Sequence, residues 1–337
     1  LQKLRARHII ETVSLDYIRV THPEPHAARG RQMLAAHPEL RTLTGPTPIS
    51  AVWVLTLVVV QVALSVYVAG SRWFVWLPLA YLAGATIDHA LWALIHDCTH
   101  NLVFRGRTPN RLLSIVANIP LVVPGAISFS KYHLLHHRHM GDMDLDAGVP
   151  GPTESAVIGR SGTAKALWLA LTFLVQGVVR PSRLKVQLFD GWTIFNLIFQ
   201  VSFLALFVYA AGAAPLKYLV ASTIFAIGLH PLGARWIQEH FSRRPDQETY
   251  SYYGPLNKVS FNVGYHNEHH DLVTVPWSRL PQIRRIAPEF YDGLYSYSSW
   301  TTLLVEFIRD REITLFNYVI RPGRADAGSR EPMAVNR

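Results

Sequence analysis

Cysteine is almost missing: Cys98 is the only one in 337 residues. A lone thiol rules out an intramolecular disulfide, a zinc ribbon and an iron–sulfur cluster, all of which need several cysteines. Charged residues are scarce too, at 16% of the chain against 50% hydrophobic. That balance fits a large soluble domain or a small multi-pass membrane protein, and not a disordered chain. No haem-binding HPGG stretch and no glycine-rich flavin fingerprint occurs, so electrons for redox chemistry would come from a separate protein. A secretory leader is not expected either, because the chain opens on a polar arm punctuated by Pro23, Pro25, Pro46 and Pro48. It begins with Leu1 and not Met, so the natural start is expected upstream.

Long apolar runs decide between the two classes. Ala51 to Gly70 carries no charge over twenty residues, and at about 1.5 Å per residue a helix of that length crosses a core of about 30 Å. Trp73 to Ile95 repeats this, broken only by Asp88 and His89, and a second pair follows at Trp192 to Ala211 and Leu216 to Gly233. Short tips at Ser71–Arg72 and Gly212–Pro215 close each pair into a hairpin. Leu112 to Ile127, interrupted by Pro120 and Pro124, is expected to be re-entrant or surface-lying, and Ala164 to Val179 to lie at the interface. Most Lys and Arg residues fall between the pairs or after the last span. The positive-inside rule then puts both termini and those segments in the cytoplasm, and anionic lipid explains the net charge of +9 without nucleic acid. The organisation expected is an N-terminal arm over 1–50, a membrane domain over 51–321 and a disordered tail over 322–337. Within the membrane domain, residues 96–190 and 235–321 would form a cytosolic cap.

Histidine supplies the chemistry. Eight of the sixteen stand in three clusters: HDCTH with His96 and His100, HLLHH with His133, His136 and His137, and HNEHH with His266, His269 and His270. Residues three and four apart share a helical face, so each cluster can aim its rings at one point, and three converging points would hold two metal ions. Imidazole without thiolate or a carboxylate bundle suits iron, zinc, copper or nickel. A zinc peptidase would need HExxH, whereas Asp97 stands where its general base belongs and two clusters would go unused. His240, just after the fourth span, is placed to close the site. His89, seven residues before His96, is expected just outside the ligand shell, as are Asp97, Glu268 and Asp271, cast as acceptors that orient the imidazoles. His230 is read as either such a group or a structural one. His139 is read as a surface residue, and the scattered His8, His22, His26 and His37 of the arm as non-ligands. Cys98 is read as a small buried filler.

The three clusters follow HxxxH, HxxHH, HxxHH, and the chain resembles the membrane-bound fatty acid desaturase and hydroxylase superfamily. Within it, GLHPLGARWIQEHF (Gly228 to Phe241), ETYSYYGPLN (Glu248 to Asn257) and FNVGYHNEHHD (Phe261 to Asp271) resemble sphingolipid delta(4)-desaturases, also called dihydroceramide desaturases. So do HPEPHAARGRQMLAAHPEL in the arm, ISFSKYHLLHHRHMGD around the second cluster and EFYDGLYSYSSW near the end. Departures are the HDCTHN first cluster, MGDMDLDAGVPGPTES (Met140 to Ser155), which only loosely follows the family's acidic stretch before a proline, HDLVTVP without a proline common in the family, and Arg235 where animal relatives tend to carry His.

The resemblance implies an all-α membrane protein with four transmembrane helices under a cytosolic helical cap that holds a histidine-rich di-iron site. It implies two iron ions cycling between Fe2+ and Fe3+, with His96, His100, His133, His136, His137, His266, His269 and His270 as catalytic ligands and His240 as the ninth. It further implies O2 as co-substrate, a dihydroceramide-like lipid and an electron donor of cytochrome b or ferredoxin type. The membrane would be the endoplasmic reticulum or a bacterial inner membrane. The reaction expected is insertion of a trans double bond at C4–C5 of the sphingoid base. Its rivals are a sphingolipid C4-hydroxylase, another acyl-lipid desaturase or alkane hydroxylase and, from a different class, a membrane metal-binding or transport protein.

Overall fold

Four helices have the length and apolar composition to cross a hydrocarbon core in the computed structural model: Ile49–Tyr67, Trp73–Thr99, Gly191–Ala211 and Leu216–Gln238. The structure describes residues 16–321 apart from 185, 188 and 245, so His8 and the 322–337 tail lie outside the described residues. Helices make up most of the described chain, and four candidate spans agree with the apolar runs. Their outer surfaces are apolar as well: only 11% of the third span's window is buried, and Ile198, Val201 and Leu206 stand more than half exposed. Side chains of that kind are at ease in lipid and not in water, which suits a membrane protein.

Two spans depart from ideal helices for local reasons. In the second, Pro78 removes one ladder donor, and the backbone widens into a π-helical turn over Ala80–Gly84 before the α-helix resumes at Ala85. In the fourth, the α-helix stops at Ala226 and His230 is extended because proline follows it. A 3-10 turn over Pro231–Ala234 then leads to a last helical turn at Arg235–Gln238. The fourth span thus reaches Gln238 and not Gly233, and the second reaches Thr99 and not Ile95.

Buried polar groups lock the spans together. Asp88 accepts from Gln61 Nε2 at 2.8 Å and from Thr223 Oγ1 at 3.1 Å, which ties the second span to the first and fourth. Gly84 lets the second and fourth spans approach closely: an added Cβ would fall within 2.8 Å of Ser222 Cβ and 3.0 Å of Tyr218 Oη. Gly84→Ala is therefore expected to cost about 1–3 kcal/mol through overpacking. Thermal unfolding in detergent would read this as a lowered midpoint, and an unchanged midpoint would show that the spans absorb the methyl.

The remaining segments pack against the spans and against one another. Helices Arg107–Ala117 and Ala126–Arg138 follow the second span. The apolar stretch expected at the interface is two helices, Gly162–Ala170 and Thr172–Arg183, bent by 62°. Leu112 to Ile127 is likewise split, between the ends of Arg107–Ala117 and Ala126–Arg138 and a 3-10 turn at Ile119–Leu121, where the Ile119 carbonyl accepts from Gln200 Nε2 at 3.0 Å and the Leu121 carbonyl from Thr223 Oγ1 at 3.1 Å. Two parallel ladders of two residues each pin distant parts: Ile18–Arg19 pairs with Val319–Ile320, and Ser251–Tyr252 with Ser296–Tyr297. Beside the second ladder, Tyr252 stacks on the buried Trp300 at 4.0 Å between ring centres. Lys165, fully buried, donates to the carbonyls of Phe307 (3.0 Å) and Asp310 (2.6 Å) and so caps the Trp300–Arg309 helix.

Candidate metal centre

The histidines of all three clusters meet at one place. His96 lies in the last turn of the second span and His100 caps it. His133, His136 and His137 share a face of the Ala126–Arg138 helix, and His266, His269 and His270 come from the short helix His266–Asp271. Donor atoms of His96, His100, His133, His137 and His269 all lie within 4.8 Å of one another, and those of His136, His240 and His270 form a second such group. His266 stands beside the second group, its Nε2 2.9 Å from His240 Nε2. His240 therefore lies against residues of the second and third clusters.

Spacing within the first group fits a shared ion. Nε2 to Nε2 separations are 3.0 Å for His96–His269, 3.1 Å for His269–His137, 2.9 Å for His137–His133 and 2.9 Å for His133–His100. Zinc–imidazole bonds run about 2.0–2.1 Å, so two such ligands at a right angle stand about 3.0 Å apart. The protonation states agree. Burial pushes His100 down to about 3. Burial first, and then neighbouring imidazoles, hold His133, His137, His269, His270, His266 and His240 well below the ordinary histidine value. Among the described residues the buried His270 Nε2 has no hydrogen-bond partner, and each neutral ring has one nitrogen lone pair that a metal can take. The residues present thus fit a metal, and an all-imidazole donor set suits iron among the transition ions.

Similarity to known proteins agrees with this geometry. The fatty acid desaturase family model matches residues 71–301, and the sphingolipid delta4-desaturase (DES) model matches residues 14–49. The sphingolipid delta(4)-desaturase DES1 of Drosophila melanogaster is 40% identical over 312 residues, covering 92% of this chain and 96% of that protein. The DES1-like protein of Oryza sativa subsp. japonica is 39% identical over 298 residues, covering 88% and 90%. The chain belongs to the sphingolipid delta(4)-desaturase family. A Caenorhabditis elegans member, 38% identical over 295 residues and covering 87% and 81%, has a name that pairs delta(4)-desaturase with C4-monooxygenase.

In this delta(4)-desaturase family member, the carboxylate that orients a cluster histidine is one the sequence reading did not single out. Asp146, fully buried, accepts from His136 Nδ1 at 2.8 Å. It also accepts from the backbone N–H groups of Gly148 (2.7 Å) and Gly141 (2.8 Å). Three donors on one carboxylate place the His136 proton on Nδ1 and leave Nε2 free to bind. Burial opposes a charged His136, but Asp146 outweighs it and holds the ring above its ordinary value. The only trace in the sequence was the run of Asp142, Asp144 and Asp146 after the second cluster, with nothing to say which one turns back.

The three acids expected in that role do other work. Asp97 accepts from the Trp277 backbone N–H at 3.2 Å, and its 3.8 Å separation from His96 Nδ1 is too long for a hydrogen bond. Glu268 accepts from Ser251 Oγ and Tyr253 Oη at 2.6 Å each and, chiefly through burial, is raised to about 7. Asp271 binds His26 Nδ1 (2.6 Å), Arg29 Nε (2.8 Å) and Tyr291 Oη (2.9 Å). Through that contact the His26–Ala36 helix of the arm docks on the third cluster, with the His26 ring 4.9 Å from that of His270. His26 is thus a support beside the cluster, in the segment that the family's own model covers.

His89 also differs from expectation. Its Nδ1 is 3.0 Å from the Ala226 carbonyl, so it joins the second and fourth spans and orients no cluster ring. His230 is structural, since its Nδ1 accepts from Leu232 N–H at 3.2 Å where the fourth span is interrupted. Cys98 is buried among Val54, Leu94 and Val103, as a filler would be. His139 is half-buried just past the second cluster's helix.

Proposed function

We propose that this chain is an O2-dependent iron enzyme that inserts a trans double bond at C4–C5 of the sphingoid base of dihydroceramide. The observation that carries this reading is the two-group histidine cluster, found in a chain that matches delta(4)-desaturases along most of its length. An unactivated alkyl C–H bond gives a general base nothing to work on, and bound iron supplies the oxidising power drawn from O2. His96, His100, His133, His137 and His269 would hold one ion, and His136, His240, His270 and His266 the other. The protein's own part is to hold the ligand rings fixed, keep the site apolar and present the lipid within about 1 Å of the productive position.

The four spans form two hairpins in this proposal, with the histidine end in the cytoplasm together with both termini. Convergence of the clusters supports an even number of crossings between His137 and His240, so the bent pair Gly162–Ala170 and Thr172–Arg183 returns to the side it left. The segments up to residue 50 form the arm and those from 51 to 321 the membrane domain. The membrane is the endoplasmic reticulum or a bacterial inner membrane. A cytochrome b-type protein or a ferredoxin delivers electrons, steered by the basic residues of the same face.

One relative's name pairs desaturation with C4 oxygenation, which favours a 4-hydroxysphingoid product as the second reading. Lipid mass spectrometry of a host fed dihydroceramide, with and without this gene, separates the readings. The expected result is a product two hydrogens lighter than the substrate. A gain of one oxygen supports the second reading, and no change in either lipid would overturn both.

A further inference from the structure

Two segments from distant parts of the chain meet around the second histidine group. Residues 18–20 of the arm run beside residues 318–320: Ile18 N–H donates to the Tyr318 carbonyl and Val20 N–H to the Ile320 carbonyl, at 3.1 Å each. Arg321, at the end of this ladder, reaches three segments at once. Its Nε donates to the His22 carbonyl at 3.1 Å, its Nη1 to the Met140 carbonyl at 3.1 Å and its Nη2 to Glu248.

His136, His240 and His270 each trace back to this pair of segments. For His136 the route runs through Asp146, which the Gly141 N–H holds, while the Gly141 carbonyl accepts from the Arg321 backbone N–H at 3.0 Å. For His240, the nearby Ser242 N–H donates to the Asn317 carbonyl at 2.7 Å, and the Tyr318 ring lies 5.8 Å from the His240 ring. For His270, His26 and Arg29 of the arm grip the adjoining Asp271. Gly30 lets that helix come close, since an added Cβ would stand 2.4 Å from the Asp271 carbonyl oxygen. His26 is not itself a ligand, because Asp271 takes its Nδ1 at 2.6 Å and Thr249 Oγ1 its Nε2 at 2.9 Å.

The third cluster needs such support. Its helix, His266–Asp271, has six residues, well short of the roughly 12–15 that a helix needs to stand alone. Of the five histidines in the first group only His269 comes from this helix, and the others ride on the second span and on Ala126–Arg138. Of the four in or beside the second group, His266 and His270 come from it. The other two, His136 and His240, lean on residues 317–321. Loosening these supports therefore falls mainly on the second group. Resting on the two-ion reading, we propose that residues 18–36 and 317–321 form a belt whose closure completes the second metal position, with His26 and Arg321 as positioning residues. The first position is built by the second span and the Ala126–Arg138 helix, and it holds its ion with the belt open. Metal then fills the first position before the second, and opening the belt releases one ion and spares the other.

The test titrates metal-free protein in detergent micelles with cobalt against a competing chelator, which gives an affinity for each position. His136→Ala marks which of the two is the second. His26→Ala and Arg321→Ala, on opposite sides of the belt, should each weaken the second affinity by about tenfold or more, the effect of losing a residue that orients a ligand, and leave the first within about threefold. His26→Asn, whose amide N–H can still donate to Asp271, should recover most of the loss. Gly30→Ala removes no hydrogen bond and pushes the arm helix away by contact alone, so it should reproduce the selective loss, and it decides the matter if a truncated variant does not fold. Two unchanged affinities overturn the belt. So do two affinities lowered alike, since a general loosening of the fold would spare neither position. Wild type that binds fewer than two cobalt ions would show instead that the two-ion reading itself has failed.

Discussion

His269→Ala is expected to abolish turnover and to lower bound metal by about one ion per chain, while leaving the protein folded and membrane-inserted. Among the nine histidines, His269 is the one whose Nε2 stands next to nitrogens from two other segments: His96 at 3.0 Å and His137 at 3.1 Å. It joins the end of the second span to the Ala126–Arg138 helix across the metal position. Losing a partner that only orients a ligand costs about 10–100-fold in affinity or activity, and losing a ligand from the middle of the set should cost more, on the order of 10³-fold. The fold should survive, because the ring packs chiefly against other histidines. Apolar cores elsewhere hold the spans and the segments around Trp300 together. Metal analysis and product formation on the same purified sample check this, with circular dichroism and gel filtration as controls for folding. His136→Ala should behave alike for the second group. Turnover within tenfold of wild type at full metal content would contradict the assignment of His269 as a ligand.

The four spans and the gathering of the histidines were both legible in the sequence, for different physical reasons. A run such as Ala51 to Gly70 is a local property of composition, so its helix and its lipid exposure follow without knowing what it packs against. The histidine patterns carry their own periodicity, which told which residues share a face before any partner was known. What the sequence hid depends on long-range closure. Asp146 binds His136 only because the 141–148 loop folds back, and three acids at alternate positions offered equal claims. Asp271, adjacent to a cluster residue, was expected to serve the cluster, yet it serves His26 from the arm 245 residues away. His89 had the right helical phase but meets the fourth span instead, since phase fixes direction and not what stands there. Span ends moved for a similar reason: tertiary packing carries the second helix on to Thr99, and a local proline rule breaks the fourth at His230.

Asp146→Ala should lower metal affinity roughly 10–100-fold, with the loss confined to the histidine group that contains His136. Asp146 holds His136 through Nδ1 and is itself held by Gly141 and Gly148, so truncation frees the ring to rotate and to protonate at either nitrogen. It also strands two backbone N–H groups that the carboxylate had satisfied, at a cost of about 1–3 kcal/mol each if they stay buried. Asp146→Asn separates these effects. An amide oxygen can still accept from His136 and Gly148, but its NH2 group then meets the Gly141 N–H, donor against donor, and the negative charge that favours metal binding is gone. Asn should therefore fall between wild type and Ala. Competition against a chelator, with iron or cobalt as the probe ion, gives two affinities. The expected pattern is one unchanged and one weakened in the order wild type, Asn, Ala. Wild-type affinity at both positions in Asp146→Ala would mean that packing alone orients His136 and that the buried carboxylate is there for the loop.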